Sequence, residues 1–179
     1  MKKARLTFLG TGTSQGVPMI GCNCDVCRSA DPRDKRLRAS AMVEYDGLRI
    51  LIDAGPDFRQ QMLRESVSHL DAILLTHNHK DHTGGLDDIR AFNYLERRAS
   101  EIYCEPYVEE SLRKEYSYAF AEKKYPGAPE WHVHNIDEKP FTIRTGGPVE
   151  ILEWESGKGY TYTTIGSDSE SHSVEIIPI

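Results

Sequence analysis

The sequence lacks a long hydrophobic run. None of its apolar stretches approaches the roughly 18 residues needed to span a bilayer, so we expect no membrane partner. The N-terminus, residues 1–10, carries basic residues but no extended apolar core, and it is typical of a first strand rather than of a signal peptide. These absences lead us to expect a cytoplasmic protein.

An excess of positive charge is also missing. The chain has 22 Lys and Arg against 28 Asp and Glu, a formal charge of −6, which argues against a nucleic-acid coat or an anionic membrane surface as the main partner. The charge is uneven, because residues 28–38 contain five basic side chains whereas residues 150–179 contain six acids and one lysine. A local basic surface is therefore still compatible with the sequence.

Cysteine is scarce, with four residues in a chain of 179. Without a secretion signal, we do not expect a disulfide framework. Cys22, Cys24 and Cys27 form a C-x-C-x-x-C pattern, which is a plausible partial zinc site that needs a fourth ligand from elsewhere. Three reduced, inert cysteines are the alternative. Cys104 stands alone in a predicted strand, and we expect it to be buried.

The length suits about one domain, and 39% hydrophobic with 28% charged residues is typical of a soluble globular protein. Asp46-Gly47 between two apolar runs predicts a hairpin, and the continuous apolar run before Thr76 predicts a strand buried on both faces. The pattern favours an α/β layered fold. Strands are predicted at 5–9, 39–45, 48–52, 71–76, 102–104, 131–135, 141–144, 149–154, 160–165 and 174–179, and helices at 57–64, 86–98 and 107–124.

The segment HNHKDH, residues 77–82, is the most informative stretch. It places four side chains of metal-ligand type within six residues, directly after a buried strand and before Gly84-Gly85. Two histidines at positions i and i+2 of a loop can turn their nitrogens onto one ion, and imidazole and carboxylate groups bind Zn²⁺ and similar ions. The segment predicts a metal site rather than a merely polar loop.

The HxHxDH pattern resembles the signature of the metallo-β-lactamase superfamily. Three further segments are similar to its PhnP-like branch of metal-dependent phosphodiesterases: FLGTGTSQGVP (residues 8–18), GCNCDVC (21–27) and ILIDAGPDFRQQ (50–61). The resemblance covers roughly residues 3–143. It implies an αββα sandwich with metals at one edge of the sheets.

The resemblance also implies a division of roles. His77 and His79 match ligands of a first divalent metal, Zn or Mn, and Asp81 and His82 match ligands of a second. Together with the two histidines, Asp81 is the candidate catalytic residue, because it could orient a metal-activated hydroxide that attacks phosphorus. Asp53 matches the acid that supports these ligands, although it could be only a strand-end turn cap. The cysteine trio matches a structural zinc site, completed by a histidine late in the chain.

Some family ligands have no match in this sequence. A third histidine, a bridging Asp and a further histidine should follow the strand that residues 174–179 resemble, and residues 146–173 do not follow the family pattern. We therefore expect residues 1–179 to form one domain, incomplete at the C-terminus and equivalent to the N-terminal two thirds of the sandwich. His132, His134 and His172 remain, and we expect an exposed strand edge and a polar loop there rather than metal ligands.

The first functional hypothesis is a hydrolase acting on a small, cyclic phosphodiester. The second is a truncated, catalytically weak or inactive metal-binding remnant, whose exposed sheet edge predicts a homodimer. The third is a tRNA 3′-processing nuclease similar to ribonuclease Z, with residues 28–38 as the RNA-binding patch. The cysteine cluster and the GPDFR run favour the first, so nucleic acid is not the expected partner.

Overall fold

The computed structural model describes residues 4–137 with their side chains. Farther along the chain it describes the backbone of four strands, residues 141–145, 150–155, 159–164 and 172–176. Within the atypical segment 146–173 the described part is the backbone of residues 150–155, 159–164 and 172–173, and the side chain of His172 lies outside the described part of the chain.

A six-stranded sheet organises the described part. Its strands lie side by side in sequence order. β1, β2 and β3 are antiparallel, and β3 to β6 are parallel. The β2–β3 turn has positive φ at both Asp46 and Gly47, the geometry of a tight hairpin, so the hairpin prediction is confirmed. The strand bounds are β1 Arg5–Gly10, β2 Ser40–Tyr45, β3 Leu48–Ile52, β4 Ala72–Leu74, β5 Ser100–Cys104 and β6 Trp131–Asn135.

The helices are short. The helix predicted over 107–124 ends early, because Tyr116 leaves the helical conformation at φ −113° and ψ 41°. The helix predicted over 86–98 begins as a 3₁₀ turn, Leu86–Ile89, and ends at Glu96. The bounds are α1 Asp25–Arg28, α2 Phe58–Arg64, α3 Lys80–Thr83, α4 Arg90–Glu96, α5 Pro106–Glu115 and α6 Ser117–Phe120, with a second 3₁₀ turn at Pro32–Asp34.

Four of the helices, α2, α4, α5 and α6, cover one face of the sheet. Their apolar side chains pack with Leu9, Leu51 and Ile73 into the main core, where Phe58 and Leu112 are also buried. The opposite face carries a smaller cluster around Ile50 and Ala72. β4 contributes to both clusters, which confirms the strand predicted to be buried on both faces. The mixed α/β fold class is confirmed as well.

Four further strands form two antiparallel pairs. β7 (Phe141–Thr145) pairs with β10 (His172–Ile176), and β8 (Glu150–Glu155) pairs with β9 (Gly159–Thr164). The four strands predicted after residue 140 are therefore present, with ends shifted by one or a few residues. The polar loop expected at His172 was wrong, because this residue begins β10. Within the described ranges, no helix combines the length and apolarity that a membrane crossing demands.

β1 is the outer strand of the six-stranded sheet in the described part of the chain, and it exposes apolar side chains on one face. Leu6 is 54% exposed and Phe8 is 66% exposed. An outer strand with exposed apolar side chains is a pairing hazard that proteins ordinarily cover. The homodimer stays a prediction, and light scattering at micromolar concentration would test it, with a monomer as the contradicting result.

Candidate active site

The loops that follow β3 and β4 meet at one edge of the sheet. Because the two strands are parallel neighbours, their carboxyl ends lie together, and each strand is followed by a polar segment. The Asp53 N–H donates to the carbonyl of Leu74 at 2.8 Å, and the Ala54 N–H donates to the carbonyl of His82 at 2.8 Å. The acid after β3 is thereby fastened to the histidine segment after β4.

Close backbone packing brings these loops together. A Cβ atom at Gly55 would lie 2.1 Å from the carbonyl oxygen of Asp81, so the loop approaches α3 only because residue 55 has no side chain. The Gly85 N–H donates to the carbonyl of Ala54 at 2.8 Å from the other end of α3. The helix that carries Asp81 and His82 is thus held from both ends against the Asp53 loop.

The histidine segment is extended as far as His79 and helical after it. His79 caps α3 in an extended conformation, and its carbonyl accepts from the His82 N–H at 3.0 Å. The ring of His77 lies 4.6 Å from that of His79 and 4.0 Å from that of His82, measured between centroids. His82 Nε2 is 3.3 Å from Asp81 Oδ2. These pairwise contacts place the four predicted ligands side by side, but no three of their ligand atoms all lie within 4.8 Å of one another.

Asp53 supports the histidine segment through hydrogen bonds to His82 and Thr76. Its side chain is buried, and Oδ2 lies 2.6 Å from Nδ1 of His82. Oδ1 accepts from the Thr76 N–H at 2.9 Å, and the Thr76 hydroxyl contacts both carboxylate oxygens. The residue has a left-handed φ of 61°, which Asp tolerates better than most residues. These contacts are more than a turn cap requires.

Side chains from α5 and the residue after it brace the outer side of the segment. The Asn78 amide donates to the Ser111 hydroxyl at 2.8 Å, and the Tyr116 hydroxyl donates to the carbonyl of Thr83 at 2.9 Å. Lys80 pairs with Glu115. Burial raises the pKa of Tyr116 to about 12, so the phenol keeps its proton and remains a donor at neutral pH. The segment is thus held from the helix layer as well as from the sheet.

The cysteine trio forms a separate cluster. The sulfur atoms of Cys22, Cys24 and Cys27 all lie within 4.8 Å of one another, a condition that no other group of three or more metal-ligand side chains in residues 4–137 meets. Hydrogen bonding lowers the pKa of Cys24, mainly from the Cys27 backbone and then from the Cys22 thiol. The Met19 N–H lowers the pKa of Cys27, but interaction with Cys22 and burial outweigh it and raise the net value. A cluster holding one readily ionised thiol suits a soft divalent metal such as zinc.

The remaining cysteine and histidines lie elsewhere. Cys104 is fully buried, as expected, and none of the four cysteines is in a disulfide. His132 and His134 share one face of β6 and both contact Glu101, at 3.1 Å and 2.5 Å respectively. Both histidines are exposed, as expected of a strand edge.

The sequence alone does not predict the contacts of two residues near the site, Thr76 and Arg38. Thr76 looks like the last residue of an apolar strand, yet its hydroxyl contacts both Asp53 and His77. Arg38 looks like part of a basic patch, yet it forms an ion pair with Asp57 at 2.9 Å, at the end of the loop that begins with Asp53. The only sequence signal for Thr76 is its position between an apolar run and a histidine.

The donor set at the histidine segment fits a divalent metal. His82 contacts Asp53 through Nδ1, which leaves Nε2 on the side of Asp81. Three imidazoles and one carboxylate are the ligand types that zinc, manganese and iron accept. A buried carboxylate behind a histidine is the support that such ligands ordinarily have.

Comparisons with known proteins show the family and the fold of this chain. A family model described as beta-lactamase superfamily domain matches residues 48–173. A solved diphosphatase from the PhnP family is 40% identical, with a TM-score of 0.69 over 89% of this chain and 61% of that one. The zinc-bound PqqB of Methylobacterium extorquens, 21% identical, shares the fold with a TM-score of 0.61 over 98% of this chain and 62% of its own.

A curated relative is more similar in sequence but much longer. It is an octanoyltransferase of Porphyromonas gingivalis, 51% identical over 152 residues that make up 83% of this chain and 30% of that protein. This chain therefore spans less than two thirds of each of these three proteins. The family model covers well over half of the chain, and the PhnP-family structure shares its fold. The chain belongs to the metallo-β-lactamase superfamily and is similar to its PhnP-like branch.

Proposed function

We propose that this chain carries the metal-binding half of a phosphodiesterase site, which hydrolyses a small, cyclic phosphodiester. One observation carries the proposal: His77, His79, His82 and Asp81 gather above the buried carboxylate of Asp53. Its support from outside the chain is the diphosphatase of the PhnP family, which is 40% identical. A phosphodiesterase and a diphosphatase both hydrolyse a P–O bond, and the two activities differ in the leaving group.

The residues have distinct roles in this proposal. His77 and His79 hold a first divalent metal, Zn or Mn, and Asp81 and His82 hold a second. When bound, the metal supplies Lewis acidity toward phosphate oxygens and lowers the pKa of water. Asp81 also accepts a hydrogen bond from the attacking water and thereby orients it. Asp53 holds His82 through Nδ1, so that Nε2 faces the ligand cluster.

The cysteine trio has a structural role in this proposal. Cys22, Cys24 and Cys27 would supply three thiolates to one zinc ion, whose fourth ligand comes from outside residues 4–137. Their loop is not attached to the histidine segment by any hydrogen bond found between described residues. Zinc there would fix the loop without taking part in the chemistry.

A nuclease acting on tRNA is less well supported. That alternative needs several free basic side chains in residues 28–38, and two of the five there are already in ion pairs, Arg33 with Asp31 and Arg38 with Asp57. Paired guanidinium groups contribute less to phosphate binding, because each phosphate contact must first displace a carboxylate. The small phosphodiester is therefore the preferred substrate class.

The test combines metal content with turnover. Metal per chain would be measured by plasma emission, and hydrolysis of bis-p-nitrophenyl phosphate would be followed beside that of a diphosphate ester. Two or three metals per chain with phosphodiester turnover support the proposal. Turnover of the diphosphate ester alone would change the substrate class. One metal or none, without turnover, would mean that the chain is a metal-binding remnant.

A further inference from the structure

Thr76 lies between the buried carboxylate and a histidine that the carboxylate does not touch directly. Its hydroxyl oxygen is 2.8 Å from Oδ2 and 3.0 Å from Oδ1 of Asp53, and 3.0 Å from Nδ1 of His77. Its backbone N–H also donates to Asp53, at 2.9 Å. Thr76 is therefore held through both its backbone N–H and its hydroxyl group. The contacts of the hydroxyl oxygen define where the hydroxyl proton lies.

The count of protons decides the direction of each hydrogen bond. An ionised carboxylate only accepts, so the single hydroxyl proton of Thr76 is donated to Asp53. The oxygen of that hydroxyl then has only lone pairs left for His77, and Nδ1 must donate to it. His77 is thereby held with its proton on Nδ1 and a lone pair on Nε2.

The carboxylate of Asp53 also contacts a second histidine, His82, directly. Oδ2 of Asp53 lies 2.6 Å from Nδ1 of His82, and a carboxylate can only accept there as well. His82 therefore has the same tautomer as His77. The buried carboxylate of Asp53 thus determines the tautomer of two imidazoles, that of His82 by direct contact and that of His77 through the Thr76 hydroxyl.

We propose that Thr76 is a positioning residue, which extends the influence of Asp53 to His77 and selects its Nδ1–H tautomer. The value of this tautomer for metal binding rests on the proposed function, whereas the tautomer itself does not. A neutral imidazole binds a metal through its unprotonated nitrogen. Selection by Thr76 removes the cost of changing tautomer when the metal arrives.

The test is long-range ¹H–¹⁵N NMR of the full chain, metal-free, at pH about 8.5, roughly two units above the usual imidazole pKa of about 6.5. In the wild type, His77 and His82 should both show the Nδ1–H pattern. Thr76→Val removes the hydroxyl at nearly constant shape, so His77 should lose the pattern while His82 keeps it. Thr76→Ser restores the hydroxyl and should restore His77.

A second readout uses Mn²⁺ affinity, because Mn²⁺ prefers nitrogen and oxygen ligands to the thiolates of the cysteine trio. Thr76→Val should weaken it about 10-fold, the lower end of the range for supporting residues, and Thr76→Ser should leave it unchanged. An Nε2–H pattern for His77 in the wild type, or an unchanged His77 in Thr76→Val, would overturn the proposal. A protein without turnover but with these tautomers would contradict the proposed function alone.

Discussion

The histidine segment and the cysteine loop are two clusters of metal-ligand side chains that are held in different ways. His82 is oriented by Asp53, which is 29 residues away along the chain, and α3 packs against Gly55. The cysteine ligands lie within six consecutive residues, and the loop around them is open, with Ile20 95% exposed. The histidine cluster is a product of tertiary packing, whereas the cysteine cluster is a product of local sequence.

This difference predicts different consequences of metal binding. A site whose ligands are already braced by buried groups changes little in structure when the metal binds. A site on an open loop couples metal binding to local folding, so its metal contributes directly to stability. A change in one cluster, compared with a matched change elsewhere in the chain, tests this contrast.

The largest effect is expected from His77→Ala. The substitution removes a proposed metal ligand, so metal at the histidine segment and phosphodiester hydrolysis should both fall to background. Plasma emission and bis-p-nitrophenyl phosphate turnover measure the two quantities. His132→Ala is the matched control, because His132 is an exposed histidine bonded to Glu101. Undiminished turnover in His77→Ala would end the assignment.

Asp53→Ala should weaken Mn²⁺ affinity about 10–100-fold, because the substitution leaves His82 without its acceptor and Thr76 without its anchor. Competition with a chelator measures the affinity. Asp71→Ala is the control: Asp71 is also a buried acid, and it accepts from the Arg49 N–H at 2.7 Å. The control should lose stability but keep its affinity. Equal Mn²⁺ affinities in Asp53→Ala and wild type would show that Asp53 acts only as a turn cap.

Cys24→Ser should remove one zinc per chain and lower thermal stability, while phosphodiester turnover of the remaining folded protein changes little. A loss of about 2 kcal/mol would lower the melting temperature by roughly 4–8 °C. Zinc content and calorimetry check this, with Asn23→Ser as a control on the same loop. A variant with wild-type zinc and stability would argue for three inert cysteines.

Gly55→Ala should cost about 1–3 kcal/mol, because the added methyl group must push α3 away from the Asp53 loop. It should also weaken Mn²⁺ binding, since α3 carries Asp81 and His82. Gly21→Ala is the counterpart in the cysteine loop, where the methyl group meets nothing within 4 Å and only the φ of 75° opposes it. That variant should keep full Mn²⁺ affinity. Equal Mn²⁺ affinities in the two variants would show that the close contact at Gly55 is unimportant.

The smallest perturbation is alkylation of the metal-free protein by iodoacetamide at pH about 7.5. Hydrogen bonding lowers the pKa of Cys24, which is exposed, so more of its thiol is ionised and reactive. Burial raises the pKa of Cys104 to about 12, so its thiol stays protonated and inaccessible. Mass spectrometry should find Cys24 modified and Cys104 intact. Equal modification under native conditions would contradict the packing around Cys104.

Sequence reasoning was reliable where the signal is local. The Asp46-Gly47 turn, the apolar run of β4 and the burial of Cys104 each depend on a few neighbouring residues, and all three are confirmed. It was wrong about the end of the helix predicted over 107–124. Tyr116 interrupts that helix while its hydroxyl bonds to Thr83 and its ring packs on Trp131. These partners are 33 and 15 residues away, so no local pattern predicts the break.

The same division applies to the candidate site. Residue types and their spacing were enough to single out the histidine and cysteine segments, and the resemblance to the PhnP-like branch pointed to Asp53 as a supporting acid. Only the tertiary structure decided which nitrogen of each imidazole faces the acid, and that Thr76 links Asp53 to His77. The physical reason is that a hydrogen bond depends on the positions of both partners. Asp53 follows β3, whereas Thr76 and His77 follow β4, and these positions exist only once the two parallel strands have paired.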